Sequence, residues 1–121
     1  MNKAAIIAQI EQEFSQRFRV IDNTGTDKKV VAGQFPDVIM MRPEPPPNSD
    51  ILFVMKIESG ENLVDSVAEW KELGSGSGVL YIIVPDHRLD LTKKLASATN
   101  VRARFAAYTT AKDGTVTIRY E

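Results

Sequence analysis

An α/β domain, a mixed β-sheet flanked by helices, is the architecture that three features of this 121-residue chain predict. Apolar residues recur at three- and four-residue steps in three stretches, the signature of amphipathic helices. Short apolar runs of strand length alternate with those stretches. The early strands follow one another as a meander, while the later ones are separated by helices, the connection that parallel strands need. The predicted order is helix, three strands, helix, strand, helix, strand (α-β-β-β-α-β-α-β), and residues 1–121 form one domain. No internal repeat or domain boundary breaks the pattern.

From Lys3 to Phe18 the residues Ile6, Ile7, Ile10, Phe14 and Phe18 mark the first helix, with Asn2 placed to cap it. Glu11 lies on the margin of that stripe, either as a solvated rim residue or as a side chain reaching toward Asp37. Arg19-Val20-Ile21-Asp22 reads as a short strand, Asn23 to Asp27 as a turn, and Lys28 to Ala32 as renewed extended chain, together a hairpin. Phe35 to Met41 and Asp50 to Ser59 read as two further strands. Pro43-Glu44-Pro45-Pro46-Pro47-Asn48-Ser49 between them predicts a stiff exposed loop, with a proline-recognition ligand as the alternative. Leu63, Val64, Val67, Trp70 and Leu73 mark a second helix, with Trp70 in its apolar stripe. Gly74-Ser75-Gly76-Ser77-Gly78 then reads as a flexible connection: it lacks the lysine and following helix of a phosphate loop.

Val79 to Val84 is a continuous apolar run, expected of a strand covered on both faces and stopped by Pro85. His87 falls in the next loop, where a lone histidine reads as polar surface. Leu89 to Ala98 predicts a third helix with Leu91 and Leu95 inward and Lys93 and Lys94 outward. Val101 to Tyr108 reads as a strand whose Arg102 and Arg104 share a face, and Thr115 to Tyr120 as a final edge strand after the Lys112-Asp113-Gly114 turn.

The chemistry concentrates in the third strand. Lys56 and Glu58 sit two positions apart in an otherwise apolar run, so both project from one face of the sheet. Burying such charges is costly unless they are paired or used. Asp37 opens the preceding strand and reaches them if the two strands are antiparallel neighbours. An aspartate, a lysine and a glutamate at adjacent strand ends suit either a divalent cation with an activated water or a buried ion pair.

Composition narrows the function classes. The absence of cysteine excludes disulfides and thiolate chemistry, and the single histidine excludes a multi-histidine zinc site within one chain. No apolar run is long enough to span a bilayer and no apolar signal core opens the chain, so a soluble, cytoplasmic protein is expected. The net charge is −1, yet residues 79–121 carry seven Lys/Arg against four Asp/Glu, making that part the likelier side for a polyanion.

Pro36-Asp37 followed by a strand bearing Lys56 and Glu58, within this order of elements, resembles the PD-(D/E)XK nuclease superfamily, the restriction-endonuclease-like fold. The likeness covers about residues 4–84. It implies Mg²⁺-dependent phosphodiester cleavage of nucleic acid, with Asp37 and Glu58 as metal ligands, Glu11 as a further one, and Lys56 beside the attacking water. Lys93, Arg102 and Arg104 would hold the nucleic-acid backbone, and a homodimer is a further candidate assembly. Two registers are open. With Lys56 as the family lysine, Val54 stands where a carboxylate belongs; with Lys56 in the acidic position, the pair is exchanged as Lys-x-Glu. The run Ser59-Gly60-Glu61-Asn62 through Glu69-Trp70-Lys71 resembles members of the second kind. A non-catalytic binding or assembly module on the same fold is the alternative function.

Overall fold

The computed structural model describes residues 2–43, 50–76 and 78–121. Along the chain come α1 (Lys3–Phe14), β1 (Arg19–Asp22), β2 (Val38–Met41), β3 (Ile51–Ile57), α2 (Leu63–Gly74), β4 (Val79–Pro85), a 3-10 turn (Asp86–Arg88), α3 (Leu89–Ala98), β5 (Arg104–Thr110) and β6 (Val116–Tyr120). The α/β class holds: the six strands make one mixed sheet in the order β1-β2-β3-β4-β5-β6. The pairs β3–β4 and β4–β5 are parallel and the others antiparallel. The two parallel pairs are the ones joined through α2 and α3, because a parallel neighbour must be reached by a crossover and a helix supplies it. No helix among the described residues is long and apolar enough to cross a membrane.

Side-chain alternation sorts the strands' apolar residues into two cores. Val38, Met40, Met55, Ile57, Ile83 and Ala106 pack under Ile6, Ile7 and Ile10 of α1. Ile39, Val54, Leu80, Ile82, Val84 and Ala107 pack under Leu63, Trp70 and Leu73 of α2 and Leu89 of α3. Each large side chain taken fully out of water contributes about 1.5–3 kcal/mol. β4 feeds both cores, which is why its sequence is unbroken by polar residues. Asn2 caps α1 by accepting from the Ala5 N–H at 3.1 Å.

Two expectations are corrected. Residues 28–32 form no strand; β1 pairs with β2, and only an isolated bridge joins Val31 to Gln34. The cause is Asn23, 3% exposed, which accepts from the Lys29 N–H at 2.7 Å and donates to the carbonyls of Lys29 and Pro36. These bonds gather the segment into a loop and take up backbone groups that a ladder would use. In α3 Leu95 packs against the second core as expected, beside the buried Leu89, Thr92 and Ala96, while Leu91 is 47% exposed. Positions 89, 92 and 96 form one helical stripe, and Leu91 lies off it. The expected proline-rich loop falls mostly on residues 44–49, outside the described residues.

The glycine that ends α2 has a packing reason. A Cβ on Gly74 would stand 2.5 Å from the Arg102 carbonyl oxygen, so the helix end approaches the entry to β5 more closely than any side chain allows. In a solvated helix, alanine for glycine gains about 1 kcal/mol. Gly74→Ala is expected instead to lose about 1–3 kcal/mol, as overpacked sites do. A lowered urea midpoint with an unchanged slope would be the reading, and a midpoint at or above the parent's would show that the contact yields.

Candidate functional site

Parity along β3 sets the charged centre. Val54 belongs to the α2 side of the sheet and Met55 and Ile57 to the α1 side, so Lys56 and Glu58 project toward α2. Antiparallel pairing of β2 with β3 brings Asp37 alongside, where its N–H donates to the Met55 carbonyl at 2.9 Å. Asp37 is 6% exposed and its carboxylate is fully engaged. Oδ1 accepts from Lys3 Nζ at 2.9 Å, Oδ2 accepts from the Ile57 N–H at 2.8 Å, and Lys56 Nζ lies 3.9 Å from Oδ2.

Lys56 has a second acid partner. Its Nζ lies 3.2 Å from Glu69 Oε1 on α2. Burial works against the ammonium, but the Asp37 and Glu69 carboxylates outweigh it and hold the Lys56 pKa above the ordinary lysine value. Glu58, 8% exposed, turns to the same helix: Oε1 accepts from Ser66 Oγ at 3.0 Å and Oε2 from Trp70 Nε1 at 3.1 Å. Its backbone carbonyl accepts from the Tyr108 hydroxyl at 3.3 Å. Ser66, Glu69 and Trp70 stand at helical spacings of three and four, so one face of α2 supplies every partner that β3's charges need from that side.

Two ammonium groups thus face three carboxylates across the ends of α1, β2, β3 and the side of α2. Among the described residues, no three histidine, aspartate or glutamate side chains gather about one point where a metal ion would fit. Glu11 does not join the centre. It is exposed on α1, eight residues and therefore about 12 Å along the axis from Lys3.

The basic residues lie elsewhere. Lys93 Nζ pairs with Glu121 Oε1 at 2.7 Å. Arg102 and Arg104 are exposed and line a cleft of about 330 Å³ with Gly74, Ser75, Gly76 and Gly78. Arg104 is the register partner of Tyr81, which packs on the α1 side, so it projects from the face opposite Lys56. His87 is exposed in the 3-10 turn. From sequence, Glu69 enters only within the Glu69-Trp70-Lys71 run, with no role at the centre, and Lys3 and Ser66 are passed over. The spacing of Ser66, Glu69 and Trp70 after a charged strand is the signal that could have found the two α2 partners. Comparisons of the chain with protein-family models, curated proteins and solved structures give no match.

Proposed function

We propose that this chain is a non-catalytic binding or assembly domain on the restriction-endonuclease-like plan, in which the Lys56 ammonium occupies the centre where PD-(D/E)XK nucleases hold a divalent ion. The observation that carries the reading is the use made of Asp37. Its two oxygens are taken by Lys3, Lys56 and the Ile57 N–H, so the aspartate is spent inside the fold. On this reading the chain follows the exchanged register, with lysine in the acidic position and Glu58 two residues on, which the contacts of Lys56 with Asp37 and Glu69 support.

These residues do not suit Mg²⁺. A cation placed against Asp37 would face both Lys3 and Lys56; two unit charges 4 Å apart repel by about 4 kcal/mol at an effective dielectric of 20, and a doubly charged ion doubles that. Glu58 could join only by giving up Ser66 and Trp70. Lysine supplies the positive charge from within, and the centre becomes a fastening between β2, β3 and α2.

Calorimetry with Mg²⁺ and Mn²⁺ is expected to show no binding, and incubation with single-stranded, duplex and branched DNA no cleavage. Lys56→Glu removes the internal cation and places a third carboxylate beside Asp37 and Glu69, so it is expected to bring measurable Mn²⁺ binding. Cleavage by the parent protein that Asp37→Ala abolishes would overturn the proposal.

A further inference from the structure

The two large apolar side chains that α2 and α3 leave in water stand on one groove. Val64 is 71% exposed and Leu91 47%, and both line a groove of about 480 Å³ between the start of α2 and α3, with the buried Leu63 and the half-buried Leu95 in the same wall. Apolar side chains gathered together and left uncovered mark a binding surface. The volume lies in the range of about 300–1,000 Å³ typical of pockets that hold small molecules.

Its charges are few and unspent. Of the lining residues only Glu61 and Arg88 are charged, one of each sign. Neither forms an ion pair among the described residues, with the other or with any third group. Asp65 and Asp90, exposed on the same two helices, do not line the groove. The arginine is held in place at its stem. A Cβ on Gly60 would stand 2.9 Å from Arg88 Cγ and 3.2 Å from Pro85 Cγ, so glycine, at φ +92°, lets the stem lie across the turn before α2. Thr92 Oγ1 donates to the Arg88 carbonyl at 2.8 Å and fixes the backbone beneath it.

We propose that this groove binds a free α-amino acid with an apolar side chain, its ammonium at Glu61, its carboxylate at Arg88 and its side chain among Val64, Leu91 and Leu95. Two opposite charges that are not spent on each other, set around an apolar wall, match a ligand that carries both charges and an apolar body. A carboxylate fits the planar fork of a guanidinium through two parallel hydrogen bonds. A fatty acid would leave Glu61 facing an apolar chain, and an alkylamine would do the same to Arg88; a charge so covered and unpaired is costly. The inference rests on the reading of the chain as a binding domain and names a ligand for it. None of the side chains of the Lys56 centre lines the groove.

Titration of the ¹⁵N-labelled full chain with leucine and with phenylalanine, in low salt without metal and followed by amide chemical shifts, tests it. The expected result is saturable shifts confined to Gly60 to Val64 and Arg88 to Leu95. A hydrogen bond to a charged group is worth roughly 10- to 150-fold in affinity. N-acetyl-leucine, which lacks the ammonium, and leucinamide, which lacks the carboxylate, are each expected to bind about ten-fold more weakly or worse. Glycine, which lacks the apolar body, is expected to lose roughly as much. Glu61→Gln and Arg88→Gln should each weaken leucine about ten-fold, and each should close one gap only: Glu61→Gln that between leucine and N-acetyl-leucine, Arg88→Gln that between leucine and leucinamide. The spectra themselves show whether each variant is folded, and should Arg88→Gln not fold, Glu61→Gln, at an exposed position, decides. No saturable shift, shifts centred elsewhere, capped compounds or glycine that bind as well as leucine, or folded variants that bind like the parent would each overturn the inference. Gels run on the same protein with DNA and Mg²⁺ keep the two readings apart: absent leucine binding without cleavage removes the groove alone, and cleavage removes the non-catalytic reading alone.

Discussion

Trp70→Ala is expected to remove most of the domain's stability. The indole is fully buried beneath α2, and truncating such a ring costs about 3–5 kcal/mol in transfer and cavity terms. Glu58 Oε2 would also lose its donor inside the protein, which adds about 1–3 kcal/mol. Against a total of about 5–15 kcal/mol for a typical domain, the variant should be largely unfolded or melt far below the parent. Trp70→Phe separates the two contributions by keeping most of the volume and losing the N–H. Urea denaturation measures both, and an alanine variant that melts with the parent would mean that the ring contributes nothing to the core.

The second large effect is expected at Asp37. Removing one member of a buried ion pair typically costs about 3–5 kcal/mol because the other charge is stranded. Asp37→Ala should fall toward the lower end, since Lys56 keeps Glu69 and Lys3 reaches solvent, while the Ile57 N–H loses its acceptor. Alkaline pH gives an independent check. The folded protein holds Lys56 above the ordinary value of 10.5, so its contribution is complete below that pH and is lost as pH rises through the folded value. The stability difference between the parent and Lys56→Met should therefore shrink above about pH 10.5. Tyr108 and Tyr120, whose hydroxyls are pushed up chiefly by burial, drive alkaline loss in the same direction. They are present in both proteins and cancel in the difference, and a difference that stays flat to high pH would remove Lys56 from the stabilising set.

Much of the fold was legible because its signals are local. Ile6, Ile7 and Ile10 announce α1 by spacing alone, and Val79 to Val84 announces a strand covered twice. The pairing of Lys56 with a carboxylate was legible for the same reason: two charges at i and i+2 inside an apolar run demand an answer. Which residues answer was less so. Glu69 and Ser66 reach β3 only because the turn after Glu58 sets α2 at one angle over the sheet, and Lys3 reaches Asp37 only because α1 crosses the opposite face. Such partners are fixed by tertiary placement that no short window contains. The missed loop has the same origin. Lys28 to Ala32 has the composition of a strand, but Asn23 competes for its backbone with two hydrogen bonds to Lys29, and a side chain six residues away outweighs propensity.

One consequence of the strand order concerns how the molecule is assembled. Every strand lies beside its predecessor in the chain, so no strand has to be inserted between two that are already paired. A growing polypeptide can extend the sheet at a single advancing border, each new strand meeting a partner already in place, with α2 and α3 wound on as the two crossovers close. The contact of α1 with β6, Phe14 against Tyr120 at 5.3 Å, joins the two ends of the chain and falls to the last part of the process. Growth in this order leaves the charged end of β3 without its α2 partners, Ser66, Glu69 and Trp70, until that helix packs onto the sheet.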